Sequence, residues 1–116
     1  MSRHENVVEL RHMLDHAREA VSMTEGKTRV DLEMERQLNL SLARLLEIVG
    51  EAASRISKED RSRYLDIPWS EIIGLRNRLI HGYDAVDLDI LWQIVKEDLP
   101  PLIDKLEKLV SQMTQK

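Results

Sequence analysis

Apolar residues recur along this chain at helical spacing. Val7, Leu10, Leu14, Ala17 and Val21 step by three and four, which places them on one face of a first helix. Gly26 is a natural stop for it. Met34, Leu38, Ser41, Leu45, Ile48, Ala52 and Ile56 repeat the step over a longer second helix, whose start at Glu33–Arg36 reads as solvated. Leu42, Leu46, Val49 and Ala53 widen that stripe, which predicts burial on more than one side. Gly50 falls mid-helix, where glycine costs about 1 kcal/mol against alanine. Close approach of a neighbouring helix is therefore expected there.

Polar residues from Lys58 to Arg63 interrupt the pattern, and Pro68 suits the first turn of a third helix. Ile72, Ile73, Leu75, Leu79 and Ile80 line that helix, which should end near Gly82. Asp87 is placed to cap a fourth, carrying Leu88, Leu91, Trp92, Val95 and Leu99. Pro100 and Pro101 should kink or break it, because each lacks a donor and clashes with the preceding turn. Leu102, Ile103, Leu106, Leu109, Val110 and Met113 then resume the stripe. The pattern predicts an all-α fold, an antiparallel bundle of four to five helices. A single domain over residues 1–116 is expected, without internal repeat or linker.

Composition narrows the chemistry. The chain has no cysteine, which removes disulfides, thiolate zinc sites and thiol nucleophiles together. No apolar run approaches the roughly 18 residues of a membrane span, and no signal-peptide pattern opens the chain. A cytoplasmic protein without a membrane partner is expected. The net charge of −4 points away from nucleic acid when taken whole. Divided by segment it does not. Residues 55–82 hold six basic against four acidic side chains, and the rest of the chain holds eleven against seventeen.

The densest reactive group is Arg76-Asn77-Arg78-Leu79-Ile80-His81-Gly82-Tyr83. Arginine stays charged and its planar fork matches phosphate oxygens. Histidine can take and give a proton near neutrality. Together they suffice for metal-free cleavage of RNA: one activates the ribose 2′-hydroxyl or protonates the leaving oxygen, the other stabilises charge on phosphorus. On a continuous helix Asn77 and Arg78 share a face with His81, whereas Arg76 lies roughly 140° away. Arg76 and His81 converge if His81 leaves the helical path, or if they meet across a twofold axis. The plainer reading is that Arg76 and Arg78 pair with surface carboxylates while His81 caps the helix.

The string from Arg76 to Tyr83 matches the R-x-x-x-x-H-x-Y signature of the HepT-like branch of HEPN-domain proteins. Leu46–Ala52, Pro68–Arg76, Val86-Asp87-Leu88, Leu91-Trp92 and Asp98-Leu99-Pro100 also resemble that branch, in order and at its spacing, over roughly residues 5–110. The resemblance implies a helical homodimer acting as a metal-independent ribonuclease toxin of a toxin–antitoxin pair. It implies a composite catalytic site at the dimer interface built from Arg76 and His81, with Asn77 associated with it; Arg78, on the helix face predicted for His81, is read as a further supporting residue. It further implies an MNT-type minimal nucleotidyltransferase as the antitoxin, in a hetero-oligomer with the toxin. That partner would transfer AMP from ATP to Tyr83 and place phosphate charge and bulk where RNA should sit. Asp84-Ala85-Val86 departs from relatives that carry another aromatic there.

Other candidates are weaker. His12 and His16 stand at i and i+4 beside Asp15 and Glu19, a spacing that can bind a metal but fixes no third ligand. A solvated face is the expected reading, and neither metal nor cofactor is expected. Met13 and Met23 read as core or interface filler, and Trp69 and Trp92 as core anchors rather than base-stacking platforms. The competing function is a non-catalytic helical module that binds and regulates a nucleotidyltransferase or a nucleotide.

Overall fold

The computed structural model describes residues 2–81 and 85–115, with residues 81 and 85 described by their backbone. The first helix, α1 (Arg3–Met23), starts at Ser2, whose hydroxyl accepts from the Glu5 amide at 3.1 Å. It buries Leu10, Met13, Leu14, Ala17 and Ala20. A turn through Gly26 follows, with φ at +74°, a conformation that glycine adopts without steric cost.

The long second helix predicted from the apolar stripe is in fact two. α2 (Arg29–Met34) and α3 (Arg36–Arg55) are separated at Glu35, whose backbone is extended (φ −113°, ψ 91°). Side chains compensate for the break. Asn39 Nδ2 donates to the Leu32 carbonyl at 2.8 Å, and Lys27 Nζ holds the Glu35 carboxylate at 3.0 Å. Met34 is consequently exposed instead of lining the core, and Ser41 is exposed as well. The deep face of α3 is the Leu42, Leu46, Val49 and Ala53 stripe, each at 0% exposure.

Residues 57–67 are not uniformly irregular. Ser57 caps the one-turn helix α4 (Lys58–Arg61) by accepting from the Asp60 amide at 3.2 Å. The single third helix expected between Pro68 and Gly82 is also divided. It consists of α5 (Trp69–Ile73), a turn at Gly74, and α6 (Leu75–Leu79). Two short strands follow, β1 (Ile80–His81) and β2 (Ala85–Val86), paired antiparallel with Ile80 opposite Val86. Gly50 explains how α5 docks: a β-carbon there would lie 3.0 Å from the Ile72 carbonyl oxygen, so glycine admits that backbone.

Asp87 caps α7 (Leu88–Gln93) as anticipated, accepting from the Ile90 amide at 3.0 Å. The prolines do not break the helix that follows. α7 passes through a π-helical turn (Ile94–Asp98) into α8 (Leu99–Thr114), with the prolines in its first turn. The two prolines offer no N–H to the carbonyls a turn earlier, and the chain accommodates this by widening there, with the Leu99 amide reaching back to Ile94.

α1 packs against α3 and α8, α5 and α6 pack on α3, and α7 bridges α2 and α6. A shortest dimension of 19 Å corresponds to two layers of helices about 10 Å across. One apolar cluster runs through both, from Leu10 and Met13 to Leu106 and Val110. The fold is all-α apart from the two-residue strands. Both tryptophans are partly buried against the core: Trp69 Nε1 donates to the Tyr64 carbonyl at 3.0 Å, and Lys96 Nζ stands 5.0 Å from the Trp92 ring. Among the described residues no helix is long and apolar enough to cross a membrane.

Candidate active site

The reactive string lies where α6 gives way to β1. α6 is only five residues long because two features bound it. Gly74 (φ −83°, ψ 3°) separates it from α5, and Ile80 turns to extended backbone (φ −100°, ψ 122°). The Ile80 amide still reaches the Arg76 carbonyl, so the strand departs directly from the turn that bears Arg76. The Asp87 amide donates to the Leu79 carbonyl at 2.7 Å and closes the base of the β1–β2 pair. β-Branched Ile80 and Val86 face each other across it, a pairing that favours strand over helix.

This ending corrects one expectation. Asn77 and Arg78 do not share a helical face with His81, because the helix stops at Leu79 and His81 belongs to β1. His81 leaves the regular path, the condition under which Arg76 and His81 can converge. The side chain of His81, together with Gly82, Tyr83 and Asp84, lies outside the described residues.

The two arginines of the string have different surroundings. Arg78 Nη2 lies 3.6 Å from Asp98 Oδ2 at the end of the π-helical turn, both side chains more than a third exposed. Arg76 is exposed, and its guanidinium has no hydrogen bond or ion pair among the described residues. Asn77 is exposed beside it. Among the described residues, pairing with a carboxylate thus holds for Arg78 and not for Arg76. Sequence reasoning did not pair Asp98 with Arg78, because the two meet only through the packing of separate elements.

The histidine pair on α1 stays apart. His16 Nδ1 donates to the His12 carbonyl at 2.6 Å, and the two rings meet edge to face with centroids 6.3 Å apart. Among the described residues no three His, Asp or Glu side chains converge as a metal-binding group. Met13 is fully buried and Met23 packs against the core.

A family model described as ribonuclease HepT-like matches residues 13–109. A Methanocaldococcus jannaschii protein named as an RNase is 34% identical over 107 residues, covering 92% of this chain and 98% of the relative. A Thermococcus cleftensis protein named as a ribonuclease HepT is 38% identical over 100 residues, covering 83% and 91%. A Caldanaerobacter subterraneus subsp. tengcongensis protein, also named as an RNase, is 34% identical over 92% of each chain. No solved structure matches. With the match spanning the helices that form the core and the whole reactive string, the chain belongs to the ribonuclease HepT-like family and is an endoribonuclease by class.

Proposed function

We propose that this endoribonuclease cleaves RNA without metal, with Arg76 and His81 as its chemical pair, and that it is the toxin of a toxin–antitoxin system. The observation that carries this reading is the contrast between neighbours: Asp98 stands 3.6 Å from Arg78, while the exposed guanidinium of Arg76 has no partner among the described residues. The ribose 2′-oxygen attacks the adjacent phosphorus and loses its proton to a base. The bond to the 5′-oxygen breaks, that oxygen takes up a proton, and a 2′,3′-cyclic phosphate remains. His81 moves one of these protons, and Arg76 neutralises the charge that builds on the phosphoryl oxygens. Asn77 and Arg78 support the site, Arg78 by fixing α6 to the π-helical turn through Asp98.

The working form is a cytoplasmic homodimer of this helical domain, with each protomer completing the other's site. Val30, Met34 and Leu40, exposed at 60%, 76% and 47%, support an apolar contact on the α2–α3 side. α2 packs against α7, which packs in turn on α6, so that side adjoins the Arg76 segment. Neutralisation proceeds through an MNT-type nucleotidyltransferase antitoxin: the Tyr83 phenol oxygen attacks the α-phosphorus of ATP, pyrophosphate leaves, and AMP remains on the tyrosine.

RNA cleavage in the presence of a chelator tests the chemistry. His81→Ala and Arg76→Ala should each lower the rate about 10²–10⁴-fold. Arg76→Ala should leave the melting temperature unchanged, since its side chain is exposed and unpaired among the described residues. Cleavage by His81→Ala at the wild-type rate would rule the reading out.

A further inference from the structure

A second concentration of positive charge lies outside the Arg76 segment, along α8. Glu107 and the two lysines of that helix face different neighbours, and Asp104 is exposed one turn before Lys108. Glu107 turns toward α1, where it accepts from Arg18 at 2.8 Å. Lys105 and Lys108 line a different surface, a recess of about 540 Å³ shared with Arg63, Tyr64, Asp66 and Leu109. A second recess of about 390 Å³ adjoins it through Arg63, Tyr64, Leu109 and Gln112, and adds Arg3 and Asp60. Four cations therefore stand against two carboxylates on a chain of net charge −4.

One of those carboxylates is already committed. Asn6 and Ser57 hydrogen-bond to Asp60 and hold its carboxyl below the usual range, with Arg63 3.7 Å away. Arg3 donates to the Met113 and Gln112 carbonyls and has no ion pair among the described residues. Lys105 and Lys108 have no hydrogen bond or ion pair among the described residues, and both are exposed. The groove runs toward the Arg78–Asp98 pair, two residues along α6 from Arg76. Leu102, one turn before Lys105, lines a small cavity with Arg78 and Asp98. Lys105 and Lys108 follow Asp98 by about 10 and 15 Å along the helix axis, a reach of a few nucleotides.

We propose that this groove anchors the sugar–phosphate backbone of single-stranded RNA whose scissile phosphate lies at Arg76. The lysines and arginines contact phosphates, and Tyr64, which lines both recesses, offers a ring for base stacking. The inference rests on RNA being the substrate. The acidic remainder of the surface repels the strand elsewhere and directs it onto this track.

The test uses the full chain carrying Lys105→Gln together with Lys108→Gln, and an uncleavable single-stranded RNA of roughly 10 nucleotides with methylated 2′-hydroxyls. Affinity should fall about tenfold or more at low salt, and the slope of log affinity against log salt should shrink by about 1.4, near 0.7 per lost phosphate contact. KM for long RNA should rise with kcat unchanged, while a dinucleotide too short to reach the groove keeps its wild-type kcat/KM. Unaltered affinity and salt slope overturn the proposal. So does an equal loss with the dinucleotide, since the substitutions would then act through the fold or the active site. Retained RNA affinity with loss of nucleotidyltransferase binding assigns the groove to a protein and also overturns it. Failure of the cleavage reading is separable, because RNA binding by His81→Ala reports on the groove alone.

Discussion

α3 and the segment from Gly74 to Leu88 treat apolar residues in opposite ways. α3 is a 20-residue helix whose buried positions recur every three or four residues, from Leu38 through Ala53. The second segment passes through a turn, a five-residue helix and a strand pair, with only Leu75 and Leu79 of α6 buried. The first region has surplus packing and no reactive side chain among its buried positions. The second has little packing of its own and carries Arg76, Asn77, Arg78 and His81. Its position depends on what it leans against. Gly50 is the joint between them, since the Ile72 carbonyl sits where a side chain would begin.

The largest expected effect breaks the packing side of that contrast. Leu46→Ala removes a side chain that is fully buried in α3 and should cost about 2–5 kcal/mol of stability. RNA cleavage per folded molecule should be retained. Denaturant melts paired with active-site titration measure both, and a lost turnover in the folded fraction would contradict the separation. Gly50→Val attacks the joint and should cost about 1–3 kcal/mol through overpacking. Because the displaced atoms are backbone of α5, cleavage should fall more steeply than stability. A stability loss with unchanged cleavage would show that α5 and α6 hold their place without α3.

The smallest effect concerns Asp60, at the foot of the basic groove. Its carboxyl is held low by Asn6 and then Ser57, so its contribution is present above the ordinary aspartate range near pH ~4 and fades as pH falls through its lower folded value. The melting-temperature difference between wild type and Asp60→Asn should therefore be full at neutral pH and shrink in acid. A difference that stays constant down to strongly acidic pH would contradict this.

Much of the scaffold was legible from periodicity because helices bury a repeating stripe. The Leu42–Ala53 face, the buried Met13, the Asp87 cap and the close approach at Gly50 all follow from local pattern. Helix ends were less legible. Glu35 interrupts a stripe that continues on both sides, and side-chain bonds from Lys27 and Asn39, outside the apolar pattern, accompany the interruption. The prolines fall in the first turn of α8, and the π-helical turn that joins it to α7 without a break was not legible from them. At the site, the reactive residues were visible as a string, but the stop at Leu79 was not. Ile80 and Val86 choose the extended state by pairing with each other across intervening residues.

What the sequence determined by itself is therefore the all-α class, the buried faces and the family to which the chain belongs. Those depend on spacing and residue type, which act within a few residues. What only the tertiary structure decided is which cations are free. Asp98 reaches Arg78 from another element, while Arg76 stays unpaired among the described residues. Lys105 and Lys108 join Arg63 across a groove from which Glu107 is drawn away by Arg18. Charge pairing depends on distances of a few ångströms between residues far apart in the chain, and only folding sets them.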